Sequence, residues 1–347
     1  MKKTLAALIV TAFAASAANA AVVYDNEGTK VELNGSLRVI MEKADKKEYD
    51  AANHSTKKSN SALRNAGSRF GITVKHNLDN DFYALGRVEF RFDDTTSRDK
   101  FGGVYAKRAY VGLGSKAIGE LKFGRQLTIA DDLTQANDYD YGFIPKEEYI
   151  PTAGTGVVRY DYKGIEGLQL SANYNFGQTN DEKGNPLKPG IKNAYAVGAL
   201  YTVGDLDARL AYGHTNFETG ASYAHRLDGV LASLGYKFGD FTLTGDFAYG
   251  HEKFDDEKLN KFYVAPGFAY QVLPASKVYG NYLYERVKGE NTKDKTHGFL
   301  LGADYKLHKQ VVVFLEGKYV TKKEYVADTY NGKTKDRAIG VGMRVFF

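Results

Sequence analysis

Apolar and polar side chains alternate with a period of two along most of this chain. The segment from Gly167 to Phe176 shows it best: Leu168, Leu170, Ala172, Tyr174 and Phe176 fall on one face, and Gln169, Ser171, Asn173 and Asn175 on the other. Successive side chains of a β-strand point to opposite faces, so this period predicts strands with one oily and one wet side. It returns in Val31 to Arg38, Phe70 to Lys75, Phe82 to Phe92, Phe241 to Tyr249, Phe299 to Leu307, Val311 to Tyr319 and Ile339 to Phe347. Tight turns (Gly204-Asp205, Gly239-Asp240, Leu78-Asp79-Asn80, Ile165-Glu166-Gly167) alternate with charged stretches (Lys43 to Lys58, Gln178 to Lys192, Lys288 to Lys295) that read as long loops. About sixteen strands are counted this way, and an even number leaves both chain ends on one side of a barrel.

A soluble sandwich also alternates, but it turns its apolar face inward and covers the other with charge. Here Leu, Val, Tyr and Phe dominate the apolar face. Aromatics recur near strand ends (Tyr160, Tyr162, Tyr174, Phe176, Tyr201, Tyr236, Phe238), where the girdles of a membrane barrel would lie. The expected fold is therefore all-β, a transmembrane antiparallel β-barrel. A mean hydropathy of −0.42 agrees with it, because every second residue of such a barrel faces water. After residue 20 no apolar run approaches the roughly 20 residues of a spanning helix.

Residues 1–20 have the form of a cleaved export signal, with Lys2 and Lys3, an apolar stretch from Leu5 to Phe13, and small residues ending in Ala18-Asn19-Ala20. Residues 21–347 then form a single barrel domain with no linker. Without Lys2 and Lys3 the chain has 47 − 2 = 45 basic side chains against 42 acidic ones. Both signs are scattered, so there is no basic block of the kind that binds nucleic acid. The sequence has no cysteine, which removes disulfides and thiolate metal sites. Twenty-six Tyr and 37 Gly against 6 Pro suit strands and tight turns.

The last strand, with Ile339, Val341, Met343, Val345 and Phe347 in one register, ends on Phe347. A terminal Phe on the lipid face resembles the assembly signal of bacterial outer-membrane barrels. Further stretches are similar to the general, trimeric porins of Gram-negative bacteria, above all the Haemophilus and Pasteurella branch. They are Ala21-Val22-Val23-Tyr24-Asp25, Val31-Glu32-Leu33-Asn34-Gly35, Gly67-Ser68-Arg69-Phe70-Gly71, Tyr110-Val111-Gly112-Leu113, Phe123-Gly124-Arg125 and Val158-Arg159-Tyr160-Asp161-Tyr162. Their order and spacing carry the resemblance from end to end.

That resemblance implies a homotrimer of sixteen-stranded barrels in outer-membrane lipid, passing small hydrophilic solutes and ions by passive diffusion and using no cofactor or metal. It also implies a third extracellular loop that folds into the lumen and narrows it. Here that loop is Leu127 to Thr155, between the strands Glu120 to Gln126 and Gly156 to Tyr162.

The loop is acidic, with Asp131, Asp132, Asp138, Asp140, Glu147 and Glu148 against Lys146. Strand parity turns Arg38, Arg69, Arg87, Arg91 and Arg159 toward the lumen. Lys107 and Arg108 are adjacent, and parity with Tyr110 sends Arg108 outward and Lys107 inward. By resemblance Arg69 and Lys107 are wall cations and Glu89 a lumen carboxylate. Cations facing carboxylates across a narrow passage set up a transverse field where screening is weak. Arg125 shares the outward parity of Leu121 and Phe123. The early strands of general porins form the trimer contact, which makes Arg125 a candidate to meet a neighbour's second loop, with Asp93, Asp94 and Asp99.

Three rivals remain at this level. A barrel enzyme needs a nucleophile with a nearby His, yet His54, His76, His214, His225, His251, His297 and His308 sit in no such motif, and no catalytic residue is assigned. A substrate-specific channel, for sugars or nucleotide-like solutes, would use aromatic surfaces or a basic constriction. This chain has no Trp and an acidic loop, although Tyr139, Tyr141 and Tyr149 offer stacking surfaces. An adhesin is the third.

Overall fold

The computed structural model describes residues 20–92, 103–218, 225–255 and 257–347. The expected export signal, apart from Ala20, lies outside the described residues. One antiparallel sheet closes on itself, each strand paired with its sequence neighbours, and Thr29–Tyr49 (β1) pairs with Thr329–Phe346 (β16) to complete the ring. Nineteen strand segments reduce to sixteen spanning strands. Ser55–Asn65 and Arg69–Asn77 are two halves of β2, and Gln178–Asn180 is a short arm of a hairpin. Ala21–Asn26 lies alongside β1 and continues the line of β16, since Ala21 pairs with Leu33 and Phe346 with Ser36. The end of the chain is tied in by two backbone bonds, Gly35 N–H to the Phe347 carbonyl at 2.8 Å and Phe347 N–H to the Gly35 carbonyl at 3.1 Å.

Burial runs inside out relative to a soluble protein. In Leu168–Asn175 (β7), Leu170 and Tyr174 are 42% and 40% exposed, whereas Ser171, Asn173 and Asn175 are 5%, 7% and 1% exposed. The same sorting places Leu37, Met41, Val111, Leu113, Phe299 and Ile339 outside and Arg38, Glu89, Arg159, Asp246 and Glu316 inside. An oily outer belt around a polar interior is stable only where lipid replaces water outside.

The strands are longer than a membrane requires. β1 has 21 residues and β16 has 18, against the roughly 9–11 of a tilted spanning strand. The excess lies at one end, and it corrects the expectation of long loops. Lys43 to Lys58 is the paired ends of β1 and β2 around a turn at Asp50–His54, Gln178 to Lys192 is mostly strand, and only residues 289–291 separate Ser276–Lys288 (β13) from Thr292–His308 (β14). Charged side chains keep the ladder going because they pair across and along it, as in Arg337–Asp45 at 2.8 Å, Lys46–Glu48 at 2.6 Å and Lys322–Asp294 at 2.8 Å. At the opposite end the tight turns are as expected. Gly204 and Gly239 take φ of +57° and +59°, the left-handed first position that a two-residue hairpin turn demands.

Candidate functional site

After Gly119–Leu127 (β5) the chain leaves the sheet and crosses the interior before rejoining it at Ala153–Ile165 (β6). Thr128 ties the neck of this loop: its N–H donates to the Thr152 carbonyl at 2.9 Å and its hydroxyl to the Pro151 carbonyl at 2.6 Å. Two short 3-10 turns, Ile129–Leu133 and Lys146–Glu148, give the loop an apolar underside. Ile129, Ala130, Leu133, Tyr149 and Ile150 pack on Ala196, Ala211, Ala248 and Ala265 of the inner wall. Tyr141 packs with Ile40, Tyr279 and Phe314. The wall is paved with small residues where the loop rests. A Cβ on Gly213 would lie 2.6 Å from Ile150, and one on Gly340 would lie 2.5 Å from the Tyr141 hydroxyl.

Two buried carboxylates pin the loop backbone. Asp246 accepts the Gln135 and Ala136 N–H groups at 3.0 and 3.1 Å. Glu316, fully buried, accepts the N–H groups of Tyr139, Asp140 and Tyr141 at 2.7, 2.8 and 2.7 Å and the Tyr279 hydroxyl at 2.8 Å. Arg209 donates to the Asp132 carbonyl at 2.8 Å. Arg344 donates to the Tyr139 carbonyl and lies 4.7 Å over the Tyr139 ring, which stacks on Phe314 at 4.6 Å. Hydrogen bonds to a charged acceptor are the strong ones, so the loop is held at several points.

The wall opposite the loop carries arginines in one register. Glu89 lies 2.9 Å from Arg91, 3.1 Å from Arg87 and 3.9 Å from Arg69. Arg38 donates to the Ser36 hydroxyl at 2.7 Å and has no carboxylate within ion-pair distance among the described residues. Arg159 lies 2.9 Å from Asp161 and 2.6 Å from Asp132. Of the six loop carboxylates, Asp131 pairs with Lys146 at 3.1 Å, Asp132 with Arg159, and Asp140 with Arg64, which Glu42 also holds at 2.8 Å. Asp138, Glu147 and Glu148 have no ion-pair partner among the described residues and are open to lumen water. Enclosure by the barrel and the nearby Glu316 carboxylate push Asp138 up to about 6, with Arg344 opposing. Enclosure also raises Glu148, against the pull of Lys261 and with the help of Glu147.

The structure moves one placement. Glu89 pairs with Arg108 and Phe90 with Ala106, so Lys107 is the extra residue of a β-bulge in Val104–Ser115 (β4). Val111 and Leu113, 63% and 53% exposed, are the outward residues of β4, so Tyr110 and Arg108 point inward and the parity reading of Arg108 is overturned. Lys107 and Arg108 both bind Glu182. Arg125 donates within its own chain, to the carbonyls of Ala106 at 2.8 Å and Glu182 at 3.1 Å. Asp93, Asp94 and Asp99 lie outside the described residues. Arg64, Arg209, Arg344, Asp246 and Glu316 were missed. For Arg344 and Glu316 the signal was available: they alternate with outward Met343, Val345 and Leu315, the parity argument applied only to the early strands.

Known proteins place this geometry. The sequence profile of the Gram-negative porin family matches residues 4–325. The major outer membrane protein of Pasteurella multocida strain Pm70 is 32% identical, with both chains covered in full. Among solved structures, the trimer form of OmpT, an outer membrane protein of Vibrio cholerae, superposes with a TM-score of 0.69 at 19% identity, covering 92% of this chain and all of that one. An anion-selective porin from Comamonas acidovorans superposes with a TM-score of 0.66 at 18% identity, over 92% of this chain and all of that one. At such identity the structures speak for the fold, and the sequence relatives speak for the family. The chain belongs to the Gram-negative porin family, an outer-membrane β-barrel that forms a channel.

Proposed function

We propose that the loop of residues 128–152 is the constriction of this channel, and that the arginines facing it set its selectivity. The carrying observation is the division of charge. Arg69, Arg87 and Arg91 gather around the carboxylate of Glu89 with Arg38 beside them, whereas Asp138, Glu147 and Glu148 on the loop have no ion-pair partner among the described residues. A small polar solute entering this gap exchanges part of its hydration for these groups and aligns its dipole with the field between them. An apolar solute must displace oriented water and gains nothing in return. The chain acts as a passive pore for small hydrophilic solutes and ions and has no catalytic role. Export through the cleaved residues 1–20 and assembly as a homotrimer complete this reading. The trimer form of the Vibrio cholerae protein supports that assembly.

Reversal potentials in salt gradients test the assignment. Changing Arg38, Arg69 and Arg159 together to Gln shifts the potential toward cations and alters conductance. Unaltered conductance and selectivity would overturn the assignment.

A further inference from the structure

The ladder between β4 and β5 ends where Ala109 pairs with Arg125, and β5 itself ends at Leu127, where the chain turns into the lumen. A notch is left in the wall above β5. The connection between β7 and Pro186–Val203 (β8) leans across it. Glu182, on this connection, binds both Lys107 and Arg108 of β4, with one carboxylate oxygen for each. Arg125 of β5 ties the same stretch through its backbone, donating to the Glu182 carbonyl at 3.1 Å and to the Ala106 carbonyl at 2.8 Å. At the base of the hairpin the Gln178 side-chain carbonyl accepts the Thr155 N–H of β6 at 2.9 Å. The hairpin thus straps β4, β5 and β6, the three strands that precede its own β7.

The tip of the hairpin is built to hold Glu182 in place. Its arms share two ladder pairs, Gln178 with Ile191 and Asn180 with Pro186. The turn closes on Asp181 instead, whose carboxylate accepts the Lys183 and Asn185 N–H groups and the Asn185 side-chain amide, all at 2.8 Å. Bonds of this kind fix a turn without a ladder. Gly184 takes the left-handed φ of +89° that the turn requires. Asn180, Gly184, Asn185 and Pro186 are exposed, whereas the Glu182 side chain is only 16% exposed. An otherwise solvated hairpin carries one carboxylate out of solvent, and the two charge-assisted bonds to Lys107 and Arg108 offset its desolvation.

The contact lies on the basic wall of the lumen. Arg108 stands directly across from Glu89 of Phe82–Phe92 (β3) in the same inward register, and Tyr105 stands across from Arg91. Arg108 repels Arg69 and Arg91 repels Lys107, so the cations of β4 belong to the same patch as the arginines. Glu182 therefore joins Glu89 as a counter-ion of that patch, but Glu89 is fixed in a wall strand and Glu182 arrives on a hairpin. We propose that Glu182 is a specificity-determining residue of this pore, a clasp that masks Lys107 and Arg108 and makes the wall less attractive to anions than its strands alone would be. An ammonium and a guanidinium converging on one carboxylate form the recognition geometry for a carboxylate solute, and Glu182 occupies that position from within the chain. The inference rests on the reading that the arginine wall sets selectivity.

Reversal potentials of the folded full-length protein in planar bilayers, taken in gradients of dilute potassium chloride, test it. Glu182→Gln removes one charge roughly 10 Å from the ion path, which in water lowers cation entry and raises anion entry by about twofold each, so the potassium-to-chloride permeability ratio falls roughly fourfold. In Lys107→Gln/Arg108→Gln nothing holds the carboxylate at the wall, and adding Glu182→Gln to that background produces no further shift. Millimolar succinate reduces the current of Glu182→Ala, whose cations are unmasked, more than that of wild type. Heat-modified gel mobility of each variant certifies the barrel. The joint change of Arg38, Arg69 and Arg159 to Gln is the reference: a shift there with none in Glu182→Gln overturns the clasp alone, and no shift in either overturns the reading of the wall and the clasp with it. An equal shift from Glu182→Gln with and without Lys107 and Arg108, or equal block by succinate in wild type and Glu182→Ala, also overturns the clasp.

Discussion

Glu316 is the most consequential side chain in the lumen for the behaviour of the inner loop. It is fully buried and accepts three successive loop N–H groups and the Tyr279 hydroxyl. Glu316→Gln keeps the volume but leaves a single acceptor oxygen and points an NH2 group at donors. Charge-assisted bonds contribute about 1.5–3 kcal/mol each, and at least two are lost, a cost of 3 kcal/mol or more. Relief from desolvating the charge offsets part of this, which leaves about 2–3 kcal/mol against the docked loop. At 1.4 kcal/mol per factor of ten, the ratio of docked to released loop falls by roughly a hundredfold. The strand ladder is untouched, so the barrel itself should keep its heat resistance. Single-channel recording in planar bilayers reads the effect: the variant opens normally but shows frequent closures and excess open-channel noise where wild type is quiet. Recordings of Glu316→Gln and Glu316→Ala that match wild type in noise and closure would refute the pinning role.

Other expectations follow from particular contacts. A side chain at Gly35 would begin 2.5 Å from the Phe347 ring, so Gly35→Val should cost about 1–3 kcal/mol of overpacking at the seam and lower the fraction of heat-modifiable barrel after refolding. Phe347→Ala, removing that ring, should slow assembly in the same assay. Asp138 is pushed up to about 6, above the ordinary 3.9 or so of the unfolded chain, so the folded state takes up its proton first as pH falls. Its contribution to stability therefore rises as pH drops through 6, is complete below about 4, and is lost again on returning to neutral pH. The loop loses one negative charge in that window, shifting reversal potentials toward anions, and Asp138→Asn should remove that part of the shift. If the assembly is a trimer, Arg125→Ala, which frees the Ala106 and Glu182 carbonyls, should weaken it on seminative gels with unchanged monomer mobility.

Much of the fold could be read from the sequence because a barrel strand is a local object. Leu170, Tyr174 and Phe176 alternate with Ser171, Asn173 and Asn175 whatever the neighbours do, and tight turns such as Gly204-Asp205 announce themselves. The lumen was legible only where parity ran without interruption. It turned Arg38, Arg69, Arg87, Arg91 and Arg159 inward, but failed at Arg108, where the residue inserted at Lys107 shifts the count and only the partner strand reveals it. Charged hairpins such as Lys43 to Lys58 looked like loops because their rungs are ion pairs with strands far away in sequence, Asp45 with Arg337 among them. The partners of the inner loop are beyond any local pattern. Glu316 and Tyr139 are 177 residues apart, and their contact exists only once the barrel has closed.

A water-filled passage through a closed barrel carries current, and conductance of the folded full-length protein in planar lipid bilayers reads it. Discrete, long-lived conductance steps in simple salt are expected, arriving in threes if the assembly is a trimer. Properly folded, heat-modifiable protein that inserts into the bilayer and produces no steps would contradict it.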